Sequence, residues 1–141
     1  MNGSHLLRHW SRTQAGVALS SGEAELVSLV KGSAEILGMQ CMFEELGRML
    51  KCRAFTDSNA ARGVTMRTGK GRLKHISTQY LWVQEKAATN AIEYLKTPRV
   101  NNPADLLTHH WSVADGKQHL DRMSCKRLAV HWVHVRLEGV R

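Results

Sequence analysis

The sequence predicts an α/β domain with a mixed sheet flanked by helices. Three observations carry that expectation. A short segment with apolar residues at alternate positions, the period of a half-buried strand, occurs at 51–57, and 91–96 reads as a second strand. Apolar stripes at helical spacing lie before and between them, and strands alternating with helices form layered α/β domains. At 141 residues, 43% of them hydrophobic, with 11 Gly and 2 Pro, the chain suits one domain and does not have the composition of a disordered one. It shows no uninterrupted apolar run of about 18 residues and no signal-peptide core, so neither a membrane span nor secretion is expected.

The elements follow in order. Residues 5–10 read as a short strand, and 15–19 as extended chain. Ser20 with Glu23 three residues later forms a capping box, so a helix should begin there. Leu26, Leu29, Val30, Ala34 and Leu37 repeat at i, i+3, i+4 on its apolar face. Gly38 is a candidate break; Met39, Met42, Phe43 and Leu46 form a second stripe, and Gly47 is a plausible stop. The strand at 51–57 ends at Asp57. A short helix is expected at 58–64, a flexible loop at Gly69-Lys70-Gly71, and a third helical stripe through Ile76, Tyr80, Val83 and Ala87. The strand at 91–96 is closed by Pro98, and Pro103 opens a further helix at its first position. Asp115 and Asp121 flank His119 in a final short helix, as surface acids. Residues 128–135 read equally as a strand or as an aberrant extension.

Charge is concentrated in the middle of the chain. The formal net charge is +8, and residues 51–100 hold ten Lys/Arg against three Asp/Glu. Arg62, Arg67, Lys70, Arg72 and Lys74 occur with no acid between Asp57 and Glu85. A phosphate backbone rewards such clustering through counterion release, and a solvated loop produces it too. Cys41, Cys52 and Cys125 are odd in number and widely spaced, which speaks against a disulfide scaffold and for a reducing compartment. His109-His110 and His131 with His134 raise structural zinc, but no cysteine pair stands at matching spacing.

Glu25 in a first helical turn, Asp57 at a strand end and Asp105 near a helix start are placed as catalytic acids of α/β enzymes are. Gathered together, they would hold Mg²⁺, which takes carboxylates, water and substrate phosphate. By spacing alone, each serves equally as a cap or a surface acid.

The strings around these acids carry a resemblance. Val17-Ala18-Leu19-Ser20-Ser21-Gly22-Glu23-Ala24-Glu25 resembles the V-A-L-S-S-x-E-A-E segment of the ribonuclease H domain of copia-type LTR retrotransposon Pol polyproteins. Thr56-Asp57-Ser58-Asn59-Ala60-Ala61 is similar to T-D-S-x-A-A. Arg72-Leu73-Lys74-His75-Ile76, with Tyr80 and Glu85, is similar to R-x-K-H-I-x-x-x-Y-x-x-x-x-E. Asn102-Pro103-Ala104-Asp105-Leu106-Leu107-Thr108 is similar to x-P-A-D-x-x-T.

The resemblance implies an RNase H-like five-stranded mixed sheet flanked by helices, and hydrolysis of the RNA strand of an RNA–DNA hybrid. It implies two Mg²⁺ ions, with Mn²⁺ as the alternative, held by Glu25, Asp57 and Asp105, and leaves Glu23 as the capping residue. Ser58 and Asn59 would lie beside the metals. Arg62, Arg72, Lys74 and His75 fall on the side facing nucleic acid, with His75 reading equally as a residue packed inside at a helix start. Expected partners are the hybrid and the reverse transcriptase or other parts of a Pol polyprotein, with no membrane and no small-molecule cofactor. The expected location is the cytoplasm or nucleus.

Two departures qualify this expectation. The family's opening strand, with a string similar to S-D-A-D-W-A, and its second strand have no counterpart here, and no Asp precedes Glu23. An incomplete, N-terminally truncated domain over residues 1–124 is therefore expected, followed by a divergent tail over 125–141. Catalysis is expected to be impaired, and strand 51–57 to need a replacement neighbour: residues 5–10, residues 128–135, or another chain. The residues at 5–10 are expected to pair poorly or elsewhere. A hybrid nuclease by descent, a non-catalytic nucleic-acid-binding remnant and a translated fragment without function are the three readings.

Overall fold

A computed structural model describes residues 7–8, 10, 14, 16–71, 76–102, 104, 110, 112–122 and 135–139, the side chains of 122 and 135–139 excepted. The architecture is mixed α/β. Its elements are α1 (Ser21–Glu45), β1 (Leu50–Thr56), α2 (Asn59–Thr65), α3 (Trp82–Ala88), β2 (Glu93–Lys96), α4 (Val113–Arg122) and β3 (Val135–Gly139), with 3₁₀ turns at Thr78–Tyr80 and Arg99–Asn101.

Helix α1 starts and stops where its local chemistry dictates. The Glu23 N–H donates to Ser20 Oγ at 3.2 Å. Glu23 Oε2 in turn accepts from the Leu19 N–H at 2.8 Å, one residue before the cap, which satisfies two donors at this helix end. At the other end Gly47 has φ +73, with Gly47 N–H donating to Glu44 O and Arg48 N–H to Phe43 O, the paired bonds of a Schellman stop. Gly38 does not break the helix. It is exposed, so it costs only the roughly 1 kcal/mol of a helical glycine, while Leu26, Leu29, Val30 and Ile36 remain buried on the inner face.

By length and composition α1 is also long and apolar enough to cross a membrane. Counting uninterrupted apolar runs missed this, because Lys31 and Glu35 divide the run without lowering its mean hydropathy enough. In the structure its inner face packs on β1 and α2.

The described strands form one sheet in the order β2-β1-β3. β1 and β2 are parallel, in register from Arg53↔Glu93 to Thr56↔Lys96, and joined by a crossover through α2 and α3. β3 runs antiparallel to β1, from Leu50↔Gly139 to Ala54↔Val135. This strand lies in the expected tail and gives β1 a neighbour, beginning at the last residue of the 128–135 segment, the rest of which lies outside the described residues. The expected strand at 5–10 falls mostly outside the described residues. Leu7, Arg8 and Trp10 belong to no strand, and Arg8 is paired instead with Glu35 of α1 at 2.8 Å.

One core joins these elements. Leu26 and Ile36 of α1, Cys52 and Ala54 of β1, Val64 of α2, Val83 of α3, and Ile92 beside Tyr94 of β2 share one buried cluster. Ser33 carries the polar link: its Oγ donates to Leu29 O at 2.8 Å and accepts from the Tyr94 O–H at 2.9 Å, so both hydroxyls are satisfied. The third helical stripe divides into two pieces, because Ser77 is extended (φ −65, ψ 133) and only a 3₁₀ turn precedes α3. The helix expected from Pro103 lies outside the described residues, Ala104 excepted. α4 matches the expected final helix. Ser112 caps it: the Asp115 N–H donates to Ser112 Oγ at 3.2 Å, and that Oγ donates to Asp115 Oδ2 at 2.6 Å.

Cys41 is exposed and Cys52 buried; Cys125 lies outside the described residues. Burial, then Glu44 and Cys41, pushes the Cys52 thiol from 9.0 up to about 11. The folded state therefore holds this proton more tightly than the unfolded chain does. Its contribution to stability is intact below pH 9 and is lost as pH rises toward 11. At about pH 8, where the thiolate is the reactive form, iodoacetamide should modify Cys41 rapidly and Cys52 only on unfolding, as read by peptide mass. Equal rates at the two would contradict the inward placement of Cys52 on β1.

Candidate functional site

Two of the three expected metal-binding acids fall among the described residues. Asp57 directly follows β1 and is partly buried, while Glu25 is exposed in the second turn of α1. They belong to one end of the molecule. An added Cβ at Gly22 would stand 3.0 Å from the Ala60 Cβ, so the start of α1 lies directly against the start of α2, three residues beyond Asp57. Glu25 is three residues on from Gly22, hence on a neighbouring part of the same helix face. Glycine and alanine at this crossing allow the two helix starts to approach so closely.

Asp105, Arg72, Lys74 and His75 lie outside the described residues. Among the described residues no group of three or more His, Cys, Asp or Glu gathers to hold a metal. The donor chemistry of Glu25 and Asp57 nevertheless fits Mg²⁺, a hard cation that takes carboxylate oxygens together with water.

The remaining predicted residues divide by what they touch. Ser58 caps α2, its Oγ accepting from the Ala61 N–H at 3.1 Å, and its own N–H donates to Thr56 Oγ1 at 3.1 Å. Asn59 is exposed beside it. Arg62 turns toward the sheet, Nε donating to Tyr94 O at 3.2 Å, so part of this guanidinium is engaged within the protein. Sequence reasoning missed Lys96. It ends β2 opposite Thr56, and its ammonium donates to the Asp57 carbonyl, which places a cation at the acid end of the sheet. Its register beside the residue preceding Asp57 could have been read from the two parallel strands.

Comparison with known proteins bears directly on these residues. Over 100 residues the chain is 32% identical to the retrovirus-related Pol polyprotein from transposon TNT 1-94 of Nicotiana tabacum. The chain is related to a transposon Pol polyprotein. The match takes in 70% of this chain and 8% of that relative, so the Pol-related chain spans a small part of its relative's length. No family model matches, and no solved structure does.

Proposed function

We propose that this Pol-related chain is a ribonuclease H-type domain that engages RNA–DNA hybrids, with Glu25, Asp57 and Asp105 as the carboxylates that would hold Mg²⁺. The observation that supports the reading is the close approach of Gly22 to Ala60, residues that lie three positions from Glu25 and from Asp57. It is supported by the four motifs around these acids and by the relationship to a Pol polyprotein.

When bound, Mg²⁺ supplies charge to the scissile phosphate and acidity to the attacking water. The chain's own residues do the rest. Asp57 is fixed by the end of β1 and the Ser58 cap, Glu25 by the capped start of α1, and the basic segment around Arg72 and Lys74 meets the phosphate backbone. Binding without cleavage is the second reading, favoured by the charge distribution: residues 51–100 hold ten Lys/Arg against three Asp/Glu.

A labelled hybrid incubated with the chain and Mg²⁺ separates them. RNA-strand cleavage that is lost in Asp57→Asn is the result expected of the nuclease. Retarded migration without cleavage, falling steeply with salt, is the result expected of the binding form. Neither cleavage nor retardation would contradict both.

A further inference from the structure

The proposed site leaves residues 67–71 unused, yet this part of the connection between α2 and α3 is built rather than slack. Gly69 and Gly71 both take left-handed backbone, φ +78 and +55. Arg67 lies against the second: its Nη2 donates to Lys70 O at 2.7 Å, and a Cβ on Gly71 would stand 2.6 Å from the guanidinium carbon and displace it. From α3, Gln84 fastens the loop with two bonds of 2.9 Å and ties it to α2 with a third. Its Oε1 accepts from the Gly69 N–H, and its Nε2 donates to Gly69 O and Val64 O.

What this framework presents is a set of donors. The N–H groups of Lys70 and Gly71 have no backbone acceptor among the described residues. Lys70 makes no ion pair among them either. Arg67 Nε is buried without a hydrogen-bond partner, and the residue lines, with Thr65, Thr68, Gln84 and Ala87, a cleft of about 260 Å³. No acid occurs from Ser58 through Gln84. Main-chain amides exposed around left-handed glycines form concavities that attract anions, and an ammonium beside them favours a ligand with several oxygens and more than a passing negative charge.

We infer that Arg67–Gly71 is a preformed receptor for one backbone phosphate of a nucleic acid, and that Gln84 is the positioning residue that keeps it in shape. The inference rests on the hybrid-binding reading above and adds to it a contact point and a residue that acts without touching the ligand.

Affinity for a labelled RNA–DNA hybrid, measured over a series of salt concentrations, tests it. Lys70→Ala should remove one phosphate contact and flatten the slope of log K against log salt by about 0.9. Gln84→Ala should weaken binding about fivefold with the slope unchanged, since the loop must then be ordered on binding. Gln84→Glu keeps the acceptor for Gly69 and loses the donors while ionised. Its affinity, relative to Gln84→Ala at the same pH, should recover as pH falls into the carboxyl range. A purely structural Gln84 would lower the melting temperature and leave these affinities in place.

Wild-type affinity in Gln84→Ala, alongside weakened binding in Arg72→Ala/Lys74→Ala, would overturn the inference and leave the hybrid reading standing. If the unsubstituted chain binds no hybrid, that reading fails, and inorganic phosphate decides the loop. Phosphate that shifts the Lys70 and Gly71 amide resonances supports the receptor; unshifted resonances overturn it.

Discussion

Ile36→Ala should destabilise the chain by about 2–5 kcal/mol, the range for truncating a buried aliphatic side chain and leaving a cavity. Ile36 is fully buried at the point where α1 joins the cluster shared with β1, α2 and β2. Small domains are stable by only about 5–15 kcal/mol in total, so this single change removes a large share. Urea unfolding measures it as a lower midpoint at constant slope. The companion change Met42→Ala, on the same helix but 48% exposed, should cost within about 0.5 kcal/mol. Equal costs at the two positions would show that α1 does not bury the face described.

Much of this fold is legible where the signal is local. Ser20 and Glu23 mark the start of α1 because capping chemistry acts within one turn, and Gly47 marks its end because a left-handed stop favours glycine. The strand before Asp57 and the short helix that follows it are legible from local pattern too. Gly38 misleads because its propensity cost is smaller than the packing gained by continuing the helix. The stripe from Ile76 to Ala87 hides a break at Ser77, since Ile76 and Val83 are both buried on either side of it. The pairing of β3 with β1 joins residues more than eighty positions apart and leaves no trace in either segment alone.

The candidate site divides in the same way. Glu25 and Asp57 are legible from the strings around them, whereas the approach of Gly22 to Ala60 becomes visible only once α1 and α2 are packed. Gln84 carries no signal at all in sequence. A glutamine within a short helix is an ordinary surface residue until its three partners are brought to it.

Gly22→Leu should have the largest effect on the site itself. A Cβ there already meets Ala60 at 3.0 Å, and a branched side chain has to push the starts of α1 and α2 apart. Overpacking of this kind costs about 1–3 kcal/mol, and here the displacement falls between Glu25 and Asp57. The chain should remain folded, with its melting transition lowered, and on the proposed metal-binding reading the two acids should lose their common ion. Gly38→Ala, with open space around it, should be neutral or stabilising and leave the site intact.

The shared site is the central claim, and paramagnetic broadening by Mn²⁺ tests it most directly. Titrated into the unsubstituted chain, Mn²⁺ should broaden the amide resonances of Glu25 and Asp57 together, over one concentration range. Both effects should weaken in Asp57→Asn and separate in Gly22→Leu. Broadening of neither residue, or of one without the other, would contradict the placement of these two carboxylates in a common metal site.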